Sequence, residues 1–275
     1  MENEEPDTNL KMSNTVSFFE KHHIYYEETN LRTILWFIHF WLYQLALLPS
    51  RFKARRLAKA GDRAAHDAVV RKAVGPWARS MIRTAGGTVS VEGLENMPEE
   101  PAVYVSNHRS YFDIPLVLGY LGDDTKPLVA KKEIGKIPLI RAWMEELHCV
   151  FLDRDNPREA IKIIKVAEYW VAEGYSMVVF PEGTRTKDGY LGEFKPGAFK
   201  IAQNNKVPVV PFCMKDTDKL MGRDNLWIHP AHVAIKVLPP IDTEDYTRAD
   251  WKNLPKLAEE KVREGLEAMD GEGFH

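Results

Sequence analysis

His108 and Asp113 lie five residues apart in Asn107-His108-Arg109-Ser110-Tyr111-Phe112-Asp113 and are the residues of this chain best suited to chemistry. A histidine exchanges a proton near neutral pH, and a carboxylate on one ring nitrogen leaves the other as a base. Neither residue is a strong nucleophile, so the pair most naturally activates a hydroxyl carried by another molecule. On an ideal helix five residues advance about 500°, which puts the two side chains on different faces. They meet if His108 lies in a turn and Asp113 in the first turn of the following helix. The same residues have a plainer use, because Ser110-Tyr111-Phe112-Asp113 matches a capping box in which Asp113 serves only the helix start. The two roles are compatible: a capped helix start fixes Asp113 beside the loop.

Further polar residues sit at the ends of apolar runs. In Phe180-Pro181-Glu182-Gly183-Thr184-Arg185 an apolar run ends in a tight turn with Gly183. Arg185 could grip a phosphate bidentately, and Glu182 could orient it or accept a substrate hydroxyl. Taken alone, the segment reads as a Glu182–Arg185 ion pair. Lys131-Lys132 follows Leu128–Ala130, Asp153-Arg154 follows Phe151-Leu152, and Lys195 stands in Phe194-Lys195-Pro196-Gly197. Each is a solvated loop by itself; cations delivered from successive strand ends suggest an anion site. Val207-Pro208-Val209-Val210-Pro211 is apolar and carries no chemistry of its own.

Positioning these groups falls to an alternation of strands and helices. Strand-like runs are expected at Thr88–Val91, Ala102–Val105, Leu128–Ala130, Cys149–Leu152, Met177–Phe180, Val209–Phe212 and Val233–Leu238. Helical spacing is clearest over Arg158–Ala172, where Ile161, Ile164, Ala167 and Val171 recur on one face and Gly174 stops the run. Asp62–Thr84 reads as an amphipathic helix kinked near Pro76, and Thr247–Met269 as a charged helix with Pro255 a break near its start. The pattern predicts an α/β domain with a mostly parallel mixed sheet flanked by helices, whose ligands gather at the strand ends.

The 275 residues, 44% hydrophobic and 28% charged, suffice for one large domain with a small appendage. A net charge of -3 gives no general sign of a nucleic-acid partner. Cys149 and Cys213 stand in apolar runs and read as reduced core residues. Residues 1–14 are acidic and polar and are expected to be disordered. Residues 15–60 read as a helical membrane-associating segment and 61–275 as the α/β domain. The apolar run Ile34–Leu48 would be about 22 Å long as a helix, short against a bilayer core of about 30 Å. His39 and Gln44 interrupt it; Trp36, Trp41 and Tyr43 favour the headgroup region. With Arg51, Lys53, Arg55, Arg56, Lys59 and Arg63 behind it, the run is expected to anchor the chain at an anionic lipid surface, a single span or a buried core helix being the alternatives. Either membrane arrangement leaves the domain at the cytoplasmic face of the cell membrane.

A base, a phosphate cradle and a lipid-facing segment together suit transfer of a group onto the hydroxyl of a phosphorylated amphiphile. Nucleophile elbow, Walker loop, G-x-G-x-x-G and H-E-x-x-H patterns are all missing, and no metal or cofactor is expected.

These segments also resemble the signature blocks of the glycerolipid acyltransferases, the 1-acylglycerol-3-phosphate acyltransferase family. Asn107–Asp113 resembles its N-H-x-x-x-x-D block, Val150–Arg154 its second, Lys132-Glu133-Ile134 with Ile137-Pro138 the lysine-bearing stretch just before that, Phe180–Arg185 its F-P-E-G-T-R block, and Val207–Pro211 its fourth. Gly87 to Phe212 is covered. One departure is His148, where the second block often has glycine; it bears on the acceptor more than on the reaction. The resemblance implies a glycerol-3-phosphate acyltransferase-like fold. It also implies transfer of an acyl group from acyl-CoA or acyl-carrier protein to the sn-2 hydroxyl of lysophosphatidate. His108 would be the base and Asp113 its orienter. Lys132, Arg154 and Arg185 would face the acceptor phosphate, with Gly183, Thr184 and Lys195 in the same cradle, and Glu182 would position the glycerol part. The alternatives are another acceptor (glycerol 3-phosphate, another lysophospholipid or an aminolipid), a thioester hydrolase, and a non-catalytic membrane-surface lipid-binding protein.

Overall fold

The computed structural model describes residues 30–124, 126–153, 156–186 and 190–271. The expected disordered tail 1–14 and the first part of the segment 15–60 lie outside the described residues.

The chain opens with three helices, α1 (Asn30–Ala46), α2 (Leu48–Lys59) and α3 (Arg63–Thr84). Pro49 starts α2, where its missing N–H costs nothing. Asp62 caps α3 by accepting the Ala65 amide at 3.1 Å. Beyond Gly86 (φ 84°) come β1 (Thr88–Glu92), β2 (Val103–Ser106), α4 (Asp113–Tyr120), β3 (Val129–Lys131), α5 (Pro138–Glu146) and β4 (Val150–Leu152). The second half holds α6 (Pro157–Ala172), β5 (Met177–Val179), α7 (Lys200–Asn205), β6 (Val209–Lys215), α8 (Thr217–Leu220), β7 (His232–Val237) and α9 (Arg248–Gly271). Every strand-like run of the sequence contains a strand. Pro255 does not break the last helix: α9 runs through it and buries its ring on the face turned to the core.

The main sheet has the order β1-β7-β6-β2-β5. A parallel ribbon of β3 and β4 joins it through the parallel bridge Leu128–Val178. The sheet is mixed. β2 runs parallel to β5 and β6, and β1 parallel to β7, but β6 and β7 are antiparallel. The connection after β6 folds back on itself, Met221 pairing antiparallel with Ile228, and so delivers β7 in the reverse direction. The one-residue alternation of β2 shows how the sheet is buried on both faces. Tyr104 enters the core shared with Phe112, Leu116 and Met81, while Val103 and Val105 enter the core shared with Ala167, Leu254 and Val262. Each such buried side chain contributes about 1.5–3 kcal/mol.

α1 is apolar on two sides. Trp36 turns inward, donates its indole N–H to the Met81 carbonyl at 2.8 Å and touches the Phe112 ring with centroids 5.4 Å apart. Leu31, Ile34, Leu35, Ile38, Trp41, Leu42 and Leu45 face outward, each more than 40% exposed. No single described helix is long and apolar enough to cross a membrane; α1 and α2 meet at a 42° bend and reach that length and composition only as a pair.

Candidate active site

β2, β5, β6, β3 and β4 point the same way, so their C-terminal ends share one edge of the sheet, where open α/β sheets bind ligands. β2 is the central strand, and the loop leaving it carries His108. Asn107 pins the start of this loop to β6, donating from Nδ2 to the Met214 carbonyl at 2.8 Å and accepting the Met214 amide at 2.9 Å. Ser110 pins the middle, its hydroxyl donating to the Met221 carbonyl at 2.8 Å. The loop then enters α4 with Asp113 in its first turn.

His108 and Asp113 meet. The His108 Nδ1 is 2.6 Å from Asp113 Oδ2, and the same oxygen accepts the backbone N–H groups of Arg109 (2.7 Å) and Ser110 (3.0 Å). The other oxygen, Oδ1, accepts the Thr217 hydroxyl, which the β6–α8 turn presents. Asp113 therefore serves both purposes the sequence allowed. Its bond to the Ser110 amide is half of a capping box, and it holds the imidazole. The Ser110 hydroxyl, fully buried and accepting the Phe112 amide at 3.1 Å, completes the turn and is not available as a nucleophile. Phe180, at the end of β5, stacks on the imidazole with centroids 4.3 Å apart and planes 14° apart. Held on one face and at Nδ1, the ring keeps Nε2 as its acid–base position, and its side chain is 18% exposed.

Glu182 lies beneath the loop rather than in the cleft. Its Oε1 accepts the His108 amide at 2.6 Å and its Oε2 the Gly192 amide at 2.7 Å, so both carboxylate oxygens are occupied by backbone. Burial pushes the carboxyl up to about 7; the two amide donors oppose that rise and the nearby Asp113 adds to it. In place of the ion pair or the substrate hydroxyl expected from the sequence, Glu182 clamps the histidine loop to the β5 loop. A second tie joins the same loops, the Thr186 amide donating to the His108 carbonyl at 2.9 Å.

Arg185 lies next to that tie. Its guanidinium lies 3.8 Å over the ring of Tyr111, and its Nη1 is buried without a hydrogen-bond partner among the described residues. A buried, unpaired guanidinium N–H is a place for an anion. Gly183 adopts φ 74°, a conformation that favours glycine, and the Lys195 side chain crosses the turn, its Nζ 3.1 Å from where a Cβ would stand. Thr184 is exposed at the tip of this turn. Lys132, after β3, is ion-paired with Asp153, after β4. Arg154 lies outside the described residues.

His148 is not at this edge. It precedes β4, at the opposite end of the strands, in a left-handed conformation (φ 58°) that explains why glycine suits the position. Its ring stacks on Trp170 at 3.8 Å and its Nε2 lies 3.1 Å from the Tyr175 hydroxyl, so it ties the α5–β4 turn to α6. Burial lowers its proton affinity, to a pKa of about 4. Cys149 and Cys213 are free and buried.

Four contributors were not singled out from the sequence: Asn107 as a strand extender, Phe180 as a stacking wall, Tyr111 as a platform for Arg185, and Thr217. The first three lie within or beside the quoted motifs, which is a signal of sorts. Thr217 follows an apolar strand by two residues and carries no local signal at all.

Residues 88–215 match the family model described as Acyltransferase. The chain is 41% identical over 157 residues to the chloroplastic 1-acyl-sn-glycerol-3-phosphate acyltransferase of Arabidopsis thaliana, covering 56% of this chain and 43% of that protein. It is 33% identical over 180 residues to 1-acyl-sn-glycerol-3-phosphate acyltransferase alpha of Mus musculus, covering 63% and 61%. The chain thus spans about half the length of the curated relatives it matches. Among solved structures, the 1-acyl-sn-glycerophosphate acyltransferase PlsC of Thermotoga maritima superposes with a TM-score of 0.72 at 29% identity, over 88% of this chain and 98% of that one. His108, Asp113, Glu182 and Arg185 all fall inside residues 88–215, the stretch that matches the Acyltransferase family model.

Proposed function

We propose that the protein moves a fatty acyl group from acyl-CoA or acyl-carrier protein to the sn-2 hydroxyl of 1-acyl-sn-glycerol 3-phosphate, giving phosphatidate. The observation that carries this reading is the His108–Asp113 contact: among the described residues neither cysteine is at this edge and no hydroxyl is bonded to His108 Nε2, so the base is present and the nucleophile is left to the substrate. His108 Nε2 takes the proton of the acceptor hydroxyl as its oxygen attacks the thioester carbonyl carbon. The new C–O bond forms, the tetrahedral intermediate expels the thiolate, and the imidazolium returns the proton to sulfur. Asp113 keeps the imidazole oriented and balances its charge during the step. No acyl-enzyme is needed.

Arg185, with its unpaired Nη1, takes the acceptor phosphate, and Lys195 and Arg154 are the further cations of this reading. Lys132 joins them by exchanging Asp153 for the phosphate. The outward apolar face of α1, followed by the exposed Lys53, Arg55, Arg56 and Lys59 of α2, rests on an anionic leaflet at the cytoplasmic face of the membrane. Residues 15–60 are then the membrane-associating segment and 61–275 the catalytic domain.

Purified protein on vesicles should convert 1-acyl-sn-glycerol 3-phosphate and acyl-CoA to phosphatidate, and His108→Ala should abolish turnover while the protein remains folded. Thiol release that proceeds without acceptor would identify a hydrolase instead, and no turnover across a panel of donors and acceptors would leave a lipid-binding protein.

A further inference from the structure

The carboxylate that orients the base is itself oriented, and by a residue more than 100 positions away in the chain. Asp113 is fully buried, and its two oxygens are treated differently. Oδ2 gathers three donors from its own loop: the imidazole Nδ1–H and the amides of Arg109 and Ser110. Among the described residues Oδ1 takes one hydrogen bond, from the Thr217 hydroxyl, across 104 residues of sequence. Without that bond the twist of the carboxylate about its last torsion, a broad and soft coordinate in aspartate, is held from the Oδ2 side alone. A rotation would draw Oδ2 away from the three donors together, and the imidazole with it.

Thr217 is well placed to prevent this. It is fully buried at the first position of α8, immediately after Asp216 in a left-handed conformation (φ 64°). The flanking residues Met214 and Met221 bond to Asn107 and Ser110 of the histidine loop. The hydroxyl thus rides on a short segment already registered against the loop on both sides.

We infer that Thr217 is a positioning residue for the acyl-transfer step, holding Asp113 through Oδ1 so that Oδ2 stays on His108 Nδ1. The inference rests on His108 acting as the base. A donor that matters only when the imidazole must be aimed should affect turnover rather than acceptor binding.

The test is steady-state kinetics on the full chain with vesicle-borne 1-acyl-sn-glycerol 3-phosphate, for Thr217→Val and Thr217→Ser, with His108→Ala and Asp113→Asn as references. Valine keeps the shape and loses the donor; serine keeps the donor. Loss of one hydrogen bond to a charged group predicts a kcat about 10- to 100-fold lower for Thr217→Val, an unchanged KM, and recovery of most of the rate in Thr217→Ser. In the Asp113→Asn background, Thr217→Val should lower kcat no further. This comparison stands even if the valine variant is less stable, because serine and the double variant carry it. A fully active Thr217→Val beside an inactive His108→Ala overturns the role of Thr217 alone. So does a loss that adds to that of Asp113→Asn, or one serine does not relieve. Full activity in His108→Ala overturns the base and this inference with it.

Discussion

Replacing Glu182 with glutamine tests how the histidine loop is held. In the wild type each carboxylate oxygen takes a backbone amide, His108 at 2.6 Å and Gly192 at 2.7 Å. Glutamine offers one acceptor and one NH₂ group, so whichever way the amide turns, one backbone N–H faces another donor. Leaving that buried donor unsatisfied costs about 1–3 kcal/mol. The dependence on pH separates this from general core damage. Burial raises the Glu182 carboxyl from 4.5 to about 7, so the folded protein binds this proton more tightly than the unfolded chain. Its contribution to stability is complete below pH 4.5 and is lost as pH rises through 7, a change on the order of 3 kcal/mol. Glutamine has no such proton. The wild type should therefore exceed Glu182→Gln by about 1–3 kcal/mol near pH 5, and the gap should close by pH 8, with the variant equal or ahead. Urea titrations of both proteins in a mild detergent at pH 5, 6.5 and 8 read this directly, other titrations being common to the two. A gap that is constant or widens towards pH 8 refutes the account of Glu182. Turnover should fall at every pH, because the link between the His108 and Gly192 amides is broken whichever way the glutamine turns.

Arg185→Ala should raise KM for the phosphorylated acceptor about 10- to 100-fold with little change in stability, since Nη1 has no internal partner to lose. If a monoacylglycerol acceptor, lacking the phosphate, suffers equally, Arg185 does not read phosphate. Leu35→Glu with Leu42→Glu on the exposed outer face of α1 should cut co-sedimentation with anionic vesicles more than 10-fold, each leucine contributing about 1.5–3 kcal/mol when lipid covers it. Unaltered binding would show that this face does not meet lipid. His148→Gly should relieve a left-handed φ of 58° but lose the Trp170 stack and the Tyr175 bond, for a net loss of about 1–3 kcal/mol in a denaturation assay. Its kcat/KM should be unchanged, and a shift in acceptor preference would move His148 into the acceptor pocket.

The strands were legible because each is a short apolar run closed by a turn, and the helix over α6 because its apolar residues recur with the helical period. The His108–Asp113 contact was legible in outline. Five residues cannot share a helical face, so the turn-plus-first-turn geometry was the remaining way for them to meet. Other features lay beyond local pattern. The reversal of β7 depends on Met221 pairing with Ile228 inside the connection. Pro255 sits in mid-helix because the tertiary core accepts its ring, which overrides its local cost. Glu182 looked like a cleft residue because its sequence neighbours are polar. Only the burial and the amides of His108 and Gly192 make it a clamp. Thr217 was invisible because its meaning is a contact with a residue in another segment.

The histidine loop hangs from the central strand and is fastened on one side to the β5 loop and on the other to the β6–α8 turn, by bonds spanning 74 to 111 residues. Contacts of that separation form late, after the intervening chain has been ordered. A ribosome-bound chain that has not yet delivered residue 217 can contain a strand and a histidine, but the carboxylate beside it still lacks its outer donor. The histidine–carboxylate geometry therefore arrives with the completed sheet, and a half-made chain holds both residues without the contacts that aim one at the other.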